Sequence, residues 1–317
     1  DWYRVQHDEI NNKKIYSDEY EPTFPISFDK NHDPGQELMG TPWFDKVLID
    51  LSKMIISEEE IGLDENPDIF FIGFSAMDYI IHNYGPFSQE AMDYFMRLDI
   101  QLDELFKHID NEIGLENVEF ILTSDHGGLP LPEYLPRLNL SGGRINRENL
   151  NEAFSWIDDE ISEQFDKNLY YRDWSNFYFF HEKLKKKEFL AEDLEKIIKK
   201  YLMMVDGVKN VITKKEILSS NETDNISLRL KNMIHVKKSA DVFVLLEPGY
   251  LYRNPHGTSH GSPYDYDAHV PLLFAKKERD RKVISSHTET VDIAPTILNL
   301  LNIKLNNSFD GKALPIR

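Results

Sequence analysis

The chain reads as an α/β protein, a sheet covered by helices on its faces, carrying an α+β inserted cap subdomain. Three observations carry this reading. Two apolar runs rich in β-formers, Asp68–Phe74 and Val118–Thr123, flank one long amphipathic segment, which is the strand–helix–strand rhythm of a helix-covered sheet. Within that segment Met92, Phe95, Leu98, Leu102, Leu105 and Ile109 recur every three or four residues, a single buried stripe at helical period. Near Leu129 the pattern breaks into Pro130, Pro132, Pro136 and Ser141-Gly142-Gly143, a loop that separates the core from the cap.

Taken in chain order, Trp43–Ser57 is predicted as a helix, with Val47, Leu48, Leu51, Met54 and Ile55 as its apolar positions. The Asp68–Phe74 strand comes next. Ser88 is placed to cap the long helix, which Gly114 closes before the Val118–Thr123 strand. Beyond the proline-rich loop, Asn146–Gln164 reads as a helix capped by Asn146, Asn176–Phe180 as a strand, and Ala191–Met204 as a helix. Val208–Ile212 and Asp241–Leu246 are further strands, and Val270–Phe274 is strand-like. The expected organisation is core over residues 1–129, an inserted cap over 130–250, and a return to the core over 251–317, ending in the Asp292–Leu301 helix and the Phe309-Asp310-Gly311 turn.

Composition narrows the function classes. At 317 residues and 41% hydrophobic, the chain can bury a core of large-domain size. Acidic residues outnumber basic ones by 55 to 36, a net charge of -19. Such a surface argues against unassisted binding of a nucleic-acid polymer. It permits phosphate substrates if bound cations supply the local positive charge. With no cysteine there is neither a disulfide nor a thiolate metal site, so any zinc rests on His and Asp. The cysteine count is compatible with a periplasmic or extracellular protein, and no apolar run reaches the length of a membrane span.

Three clusters carry the chemistry, each beside an expected strand. Ser124-Asp125-His126-Gly127-Gly128 sets a carboxylate next to an imidazole, with glycines that permit a tight turn and close approach of backbone to a ligand. Taken alone, this Asp-His pair is read as readily as a hydrogen-bonded loop pair. Asp78 and His82 come after the Asp68–Phe74 run four residues apart, so a helix there puts both side chains on one face, able to share a metal. His260 stands in His256-Gly257-Thr258-Ser259-His260-Gly261, just before Tyr264-Asp265-Tyr266-Asp267-Ala268-His269. Imidazole with carboxylate suits zinc, with manganese or iron as substitutes.

The ordered series S-x-x-D-x-x-x-H, S-D-H-G, G-T-S-H-G with Y-D-x-H-V-P-L, and T-x-T-V-D-I-A-P-T is similar to the alkaline phosphatase superfamily. It looks most like the type I phosphodiesterase/nucleotide pyrophosphatase group and its phosphate-irrepressible alkaline phosphatases. The resemblance runs from about Thr41-Pro42 to the end. It implies an alkaline-phosphatase-like central mixed, largely parallel sheet and a two-zinc site. Asp78, His82 and His260 would hold one ion, and Asp125 and His126 the other. The activity implied is hydrolysis of a small phosphate ester or nucleotide, with two zinc ions roughly 3.5–4 Å apart clamping an in-line displacement at phosphorus. In the family a further aspartate and a threonine nucleophile lie upstream of the D-x-x-x-H motif, as do the groups that grip the phosphate. Residues 1–77 offer neither an apolar strand ending in Asp nor a Thr-led helix, and Thr41 before Pro42 reads as a turn residue. The chain is therefore expected to be the C-terminal portion of a longer protein, with no catalytic nucleophile of its own. One metal site would be incomplete, and the N-terminal segment would be a partner.

The remaining polar residues are read more plainly. His269 and Asp267 are expected as outer hydrogen-bond partners of the metal-binding residues. His256 is expected as a loop residue, His108 as a surface residue, Asp292 as a helix N-terminal acid, and Lys183–Lys187 as a solvated helix face. Tyr170, Tyr171, Trp174 and Tyr178 are read as packing within the cap. Two rival functions stay open, a catalytically silent metal-binding module of the same fold and a sulfatase-type hydrolase.

Overall fold

The computed structural model describes residues 34–253, 255–304 and 309–316. The polar stretch before Pro34, and Asn254 at the expected return to the core, lie outside the described residues. In chain order the elements begin with α1 (Pro34–Met39), α2 (Pro42–Glu58), α3 (Ala76–Tyr84), α4 (Gln89–Glu112) and β1 (Phe120–Thr123). They continue with β2 (Gly143–Arg144), α5 (Arg147–Gln164), β3 (Tyr170–Asp173), β4 (Asn176–Phe179), α6 (His181–Lys187), α7 (Ala191–Leu202) and β5 (Val208–Thr213). The last are α8 (Lys214–Ser219), α9 (Asn225–Met233), β6 (Val242–Leu246), β7 (Tyr250–Leu251), α10 (Asp265–Ala268), β8 (Leu272–Ala275) and α11 (Ile293–Leu300). This mixed helix–sheet arrangement is of α/β class. Among the described residues, its parallel pairing is carried by β2–β7, and the other ladders are antiparallel.

The chain divides into two compact units. One holds Ser75–Phe95 and Asp125–Val270, the other Trp43–Phe74, Met96–Ser124 and the residues from Pro271 onward. In the first, a four-stranded antiparallel sheet has the order β3-β4-β6-β5. Helices α5 and α7 bury Ile157, Ile161, Leu194, Ile198 and Leu202 in one core with Phe177, Val211 and Val242 of the sheet. Each such side chain contributes about 1.5–3 kcal/mol on burial. The boundaries reflect local chemistry. The Asn146 side chain accepts from the N–H groups of Glu148 and Asn149 to start α5, and Thr213 with Glu216 forms a capping box on α8. Tyr170 packs on Phe177 and Tyr171 stacks on Tyr178, so these aromatics pack within the first unit, while Trp174 stays exposed at the hairpin tip.

In the second unit Ile49 and Ile56 of α2 meet Leu105 and Ile109 of α4, with Ile72, Phe74, Val118 and Phe120 packed around them. Strand β1 pairs antiparallel with β8. Asp292 is buried, accepting from the N–H groups of Glu289 and Lys312, which makes it a structural acid at the start of the terminal helix. His108 is half-buried rather than a free surface residue, because its Nε2 lies 3.1 Å from the Lys53 carbonyl.

One predicted strand does not form. Asp68–Phe74 takes part in no ladder among the described residues. Ile72 and Phe74 reach the core, yet Phe71 is 79% exposed and Ile69 and Phe70 are exposed with it. Apolar β-formers favour an extended backbone, but a strand also requires a hydrogen-bonded neighbour, which composition does not supply.

Candidate metal centre

All five residues singled out as metal-binding candidates fall in the first unit. Asp78 and His82 sit one turn apart on α3, which ends where the Gly85 N–H bonds the Ile81 carbonyl at φ 80°. Asp125 and His126 come directly after β1, and His260 lies in the loop between β7 and α10. Asp78, His126 and His260 each offer one donor atom, all within 4.8 Å of one another, a group able to hold a metal ion. His82 adjoins it, with its Nε2 at 3.5 Å from Asp78 Oδ2 and 3.2 Å from His260 Nε2. Asp78 Oδ1 stands 3.5 Å from His260 Nε2 and 3.9 Å from His126 Nε2, so this one carboxylate faces residues of both expected ligand sets. Asp125 is not one of those three, although it reaches the same His126 nitrogen. Its side chain is 85% exposed, and Oδ2 lies 3.4 Å from His126 Nε2.

The hydrogen bonds fix the imidazole tautomers. His82 Nδ1 lies 2.9 Å from the Thr258 carbonyl, and His126 Nδ1 lies 2.8 Å from the Gly127 carbonyl. A carbonyl only accepts, so in both rings Nδ1 carries a hydrogen and Nε2 faces the cluster. The His126 and His260 rings stack with centroids 3.4 Å apart and planes 13° from parallel, an arrangement that two imidazolium ions would resist. Burial first, and then the neighbouring His126, hold His260 below the ordinary imidazole pKa, and Asp78 offsets part of this. The donor set is thus imidazole nitrogens around one carboxylate. That is the N/O chemistry zinc takes in the absence of cysteine, so the residues present fit the ion.

The cluster is braced from behind. Thr258 donates its N–H to the His82 carbonyl at 3.0 Å and its hydroxyl to the Leu129 carbonyl at 2.7 Å, so the loop before His260 is tied to α3 and to the segment after His126. Asp267, only 3% exposed, accepts from the N–H and the hydroxyl of Ser262 at 2.8 and 2.6 Å, and its carbonyl accepts from the Gly127 N–H at 2.7 Å. Its other oxygen, Oδ1, is buried with no hydrogen-bond partner among the described residues. His269 is exposed at the end of α10, its backbone N–H bonded to the Asp265 carbonyl, and lies outside the group of Asp78, His126 and His260. Sequence reading gave no role to Thr258 or Ser262. The signal was a hydroxyl residue two positions to either side of His260, too common a pattern to single out.

The sequence profile of the family described as type I phosphodiesterase / nucleotide pyrophosphatase matches residues 4–269. The chain is 27% identical over 294 residues to alkaline phosphatase PhoV of Synechococcus elongatus, an alignment covering 92% of this chain and 52% of that protein. It is 26% identical over 298 residues to alkaline phosphatase PafA of Elizabethkingia meningoseptica, covering 92% of this chain and 54% of PafA. The crystal structure of wild-type PafA superposes with a TM-score of 0.78 at 24% identity, over 87% of this chain and 53% of that one, a likeness of fold. The chain spans about half the length of the curated relatives it matches. With its profile match running through the α3, Asp125-His126 and His260 segments alike, the chain belongs to the type I phosphodiesterase / nucleotide pyrophosphatase family.

Proposed function

We propose that these residues form the metal-holding part of a phosphoric-ester hydrolase of alkaline phosphatase or nucleotide phosphodiesterase type. The observation that carries the reading is the convergence of Asp78, His126 and His260, with His82 beside them and the Nε2 atoms of His82 and His126 facing inward. The names of the relatives point the same way. Asp78, His82 and His260 would hold one zinc ion, with Asp78 also facing His126, and His126 with Asp125 would contribute to a second. When bound, zinc supplies Lewis-acid polarisation and charge neutralisation at a phosphoryl oxygen. The chain contributes the rest of the environment, namely fixed imidazole tautomers, a carboxylate held between them, and backbone carbonyls that keep the rings from turning. On a chain of net charge -19, bound cations also provide the attraction a phosphate ester needs.

The nucleophile, a threonine in this reading, belongs to a segment outside this sequence. Two observations support such a segment. The chain matches about half of its relatives' length, and the second unit leaves apolar surface open, with Phe71 in the unladdered stretch, Leu122 on β1 and Leu273 on β8 all exposed. A periplasmic or extracellular setting completes the proposal. Among the described residues, no helix is long and apolar enough to cross a membrane.

The test is zinc stoichiometry by elemental analysis, then hydrolysis of p-nitrophenyl phosphate and bis-p-nitrophenyl phosphate. The chain is expected to retain about one zinc tightly, and Asp78→Ala or His260→Ala to lose it together with any turnover. Turnover that survives Asp78→Ala, or a chain that takes up no zinc, refutes the reading. Zinc binding with no turnover, even beside the upstream segment, identifies the silent module instead.

A further inference from the structure

We infer that Arg144 is a positioning residue for the His82 and His260 imidazoles, acting through the backbone that precedes His260. The inference rests on the reading of those imidazoles as metal donors. Arg144 lies on β2 in register with Leu251 of the parallel strand β7, beside the chain that leads into the His260 loop. Its side chain is 12% exposed. The guanidinium makes four hydrogen bonds: Nε and Nη2 fork the Glu133 carboxylate at 2.7 and 3.0 Å, Nη1 donates to the Arg253 carbonyl at 2.8 Å, and Nη2 donates to the Gly257 carbonyl at 2.8 Å. Four of the five N–H donors of one rigid plane are therefore committed, two to a carboxylate and two to the carbonyls on either side of one loop.

The connection to the donor cluster is a single peptide long. Gly257, whose carbonyl Arg144 holds, has φ +74°, and a Cβ there would lie 2.2 Å from the His82 carbonyl oxygen. The loop thus runs in backbone contact with α3 at His82. The next residue, Thr258, exchanges two bonds with His82: its N–H goes to the His82 carbonyl at 3.0 Å and its carbonyl receives the His82 Nδ1 hydrogen at 2.9 Å. His260 comes two residues later, with Nε2 3.2 Å from His82 Nε2. Release of the Gly257 carbonyl therefore loosens both the acceptor that sets the His82 tautomer and the approach of His260. Lysine keeps the charge but offers one point of contact in place of a planar fork, so it cannot hold Glu133 and two carbonyls together.

The experiment is titration of the chain with Co2+, read by the visible absorption of the bound ion, with Zn2+ competition for affinity. It is run on the wild type, Arg144→Lys, Glu133→Gln and the exposed-site control Arg137→Lys. Arg144→Lys is expected to weaken metal affinity about 10-fold, the lower end for outer partners of metal ligands, and to change the shape of the cobalt spectrum. Glu133→Gln, which leaves both carbonyl contacts of Arg144 in place, is expected to fall between the wild type and Arg144→Lys, and Arg137→Lys to match the wild type. If Arg144→Lys does not fold, Glu133→Gln decides the matter by the same two readouts. A wild type that takes up no metal overturns the metal-site reading itself. A wild type that binds, beside variants with unchanged affinity and spectrum, overturns the role of Arg144 alone, even where the variants melt earlier.

Discussion

Replacement of Gly127 by alanine tests how the donor loops are held together. Gly127 is the residue directly after His126, and its N–H bonds the Asp267 carbonyl at 2.7 Å. A Cβ built there would stand 2.2 Å from the Tyr266 carbonyl oxygen, whereas carbon–oxygen contacts begin at about 3.3 Å. Both sides of this contact are backbone, so the two segments must part by about 1 Å, which stretches the Gly127–Asp267 bond beyond hydrogen-bonding range. Overpacking of this kind costs about 1–3 kcal/mol, and the lost bond about 1–2 kcal/mol more, giving an expected destabilisation of about 2–5 kcal/mol. Because His126 adjoins the displaced residue, zinc affinity should fall with stability.

Two other glycines separate the causes. At Gly128 the new methyl meets, among the described residues, the Ile81 side chain, with Cγ2 at 3.2 Å and able to give way, so Gly128→Ala should cost under about 1 kcal/mol. Gly261 has φ +102° and open space, so Gly261→Ala should show backbone strain alone, about 1–3 kcal/mol. Urea denaturation monitored by tryptophan fluorescence, with calorimetric zinc titration, gives both readouts. If Gly127→Ala proves as mild as Gly128→Ala and binds zinc like the wild type, the two segments are not locked as described.

Two further outcomes are expected. His260 is held below its ordinary pKa by burial and by His126, so the unfolded chain takes up that proton more readily than the folded one. The stability of the metal-free chain should therefore be complete above the unfolded imidazole value of about 6.5 and decline as pH falls below it, with His260→Gln flattening the dependence of the urea midpoint on pH. A wild-type midpoint that rises on acidification across that range contradicts the assignment. At Asp292 burial pushes the carboxyl pKa up, but the N–H groups of Lys312 and Glu289 outweigh it and the net shift is downward. Its contribution should be present above the unfolded value of about 3.9 and be lost as pH falls through the lower folded value. Asp292→Ala should cost about 3–6 kcal/mol for two hydrogen bonds to a charged acceptor. Faster hydrogen exchange at the Lys312 amide reports the loss, and unchanged exchange there argues against it.

The sequence by itself determined the elements whose cues are local. The helical period of α4, the Asn146 cap of α5 and the one-turn spacing of Asp78 and His82 are properties of neighbouring residues, legible without coordinates, although Phe95 of the expected buried stripe is 53% exposed and Tyr94 is buried in its place. The ordered motifs likewise singled out candidate donors, because only certain side-chain types can ligate a metal, and three of them, Asp78, His126 and His260, come together. Pairing was decided only in three dimensions. Asp68–Phe74 has the composition of a strand, yet no partner among the described residues completes its hydrogen bonds. The partition of donors was hidden for the same reason. Asp78 lies on a helix, and its distances to His126 and His260, 48 and 182 residues away in sequence, depend on how distant loops pack. Gly127 shows the difference most sharply. Its sequence context suggested room for a ligand, but the close approach it permits is to the backbone of Tyr266, a contact only the tertiary structure creates.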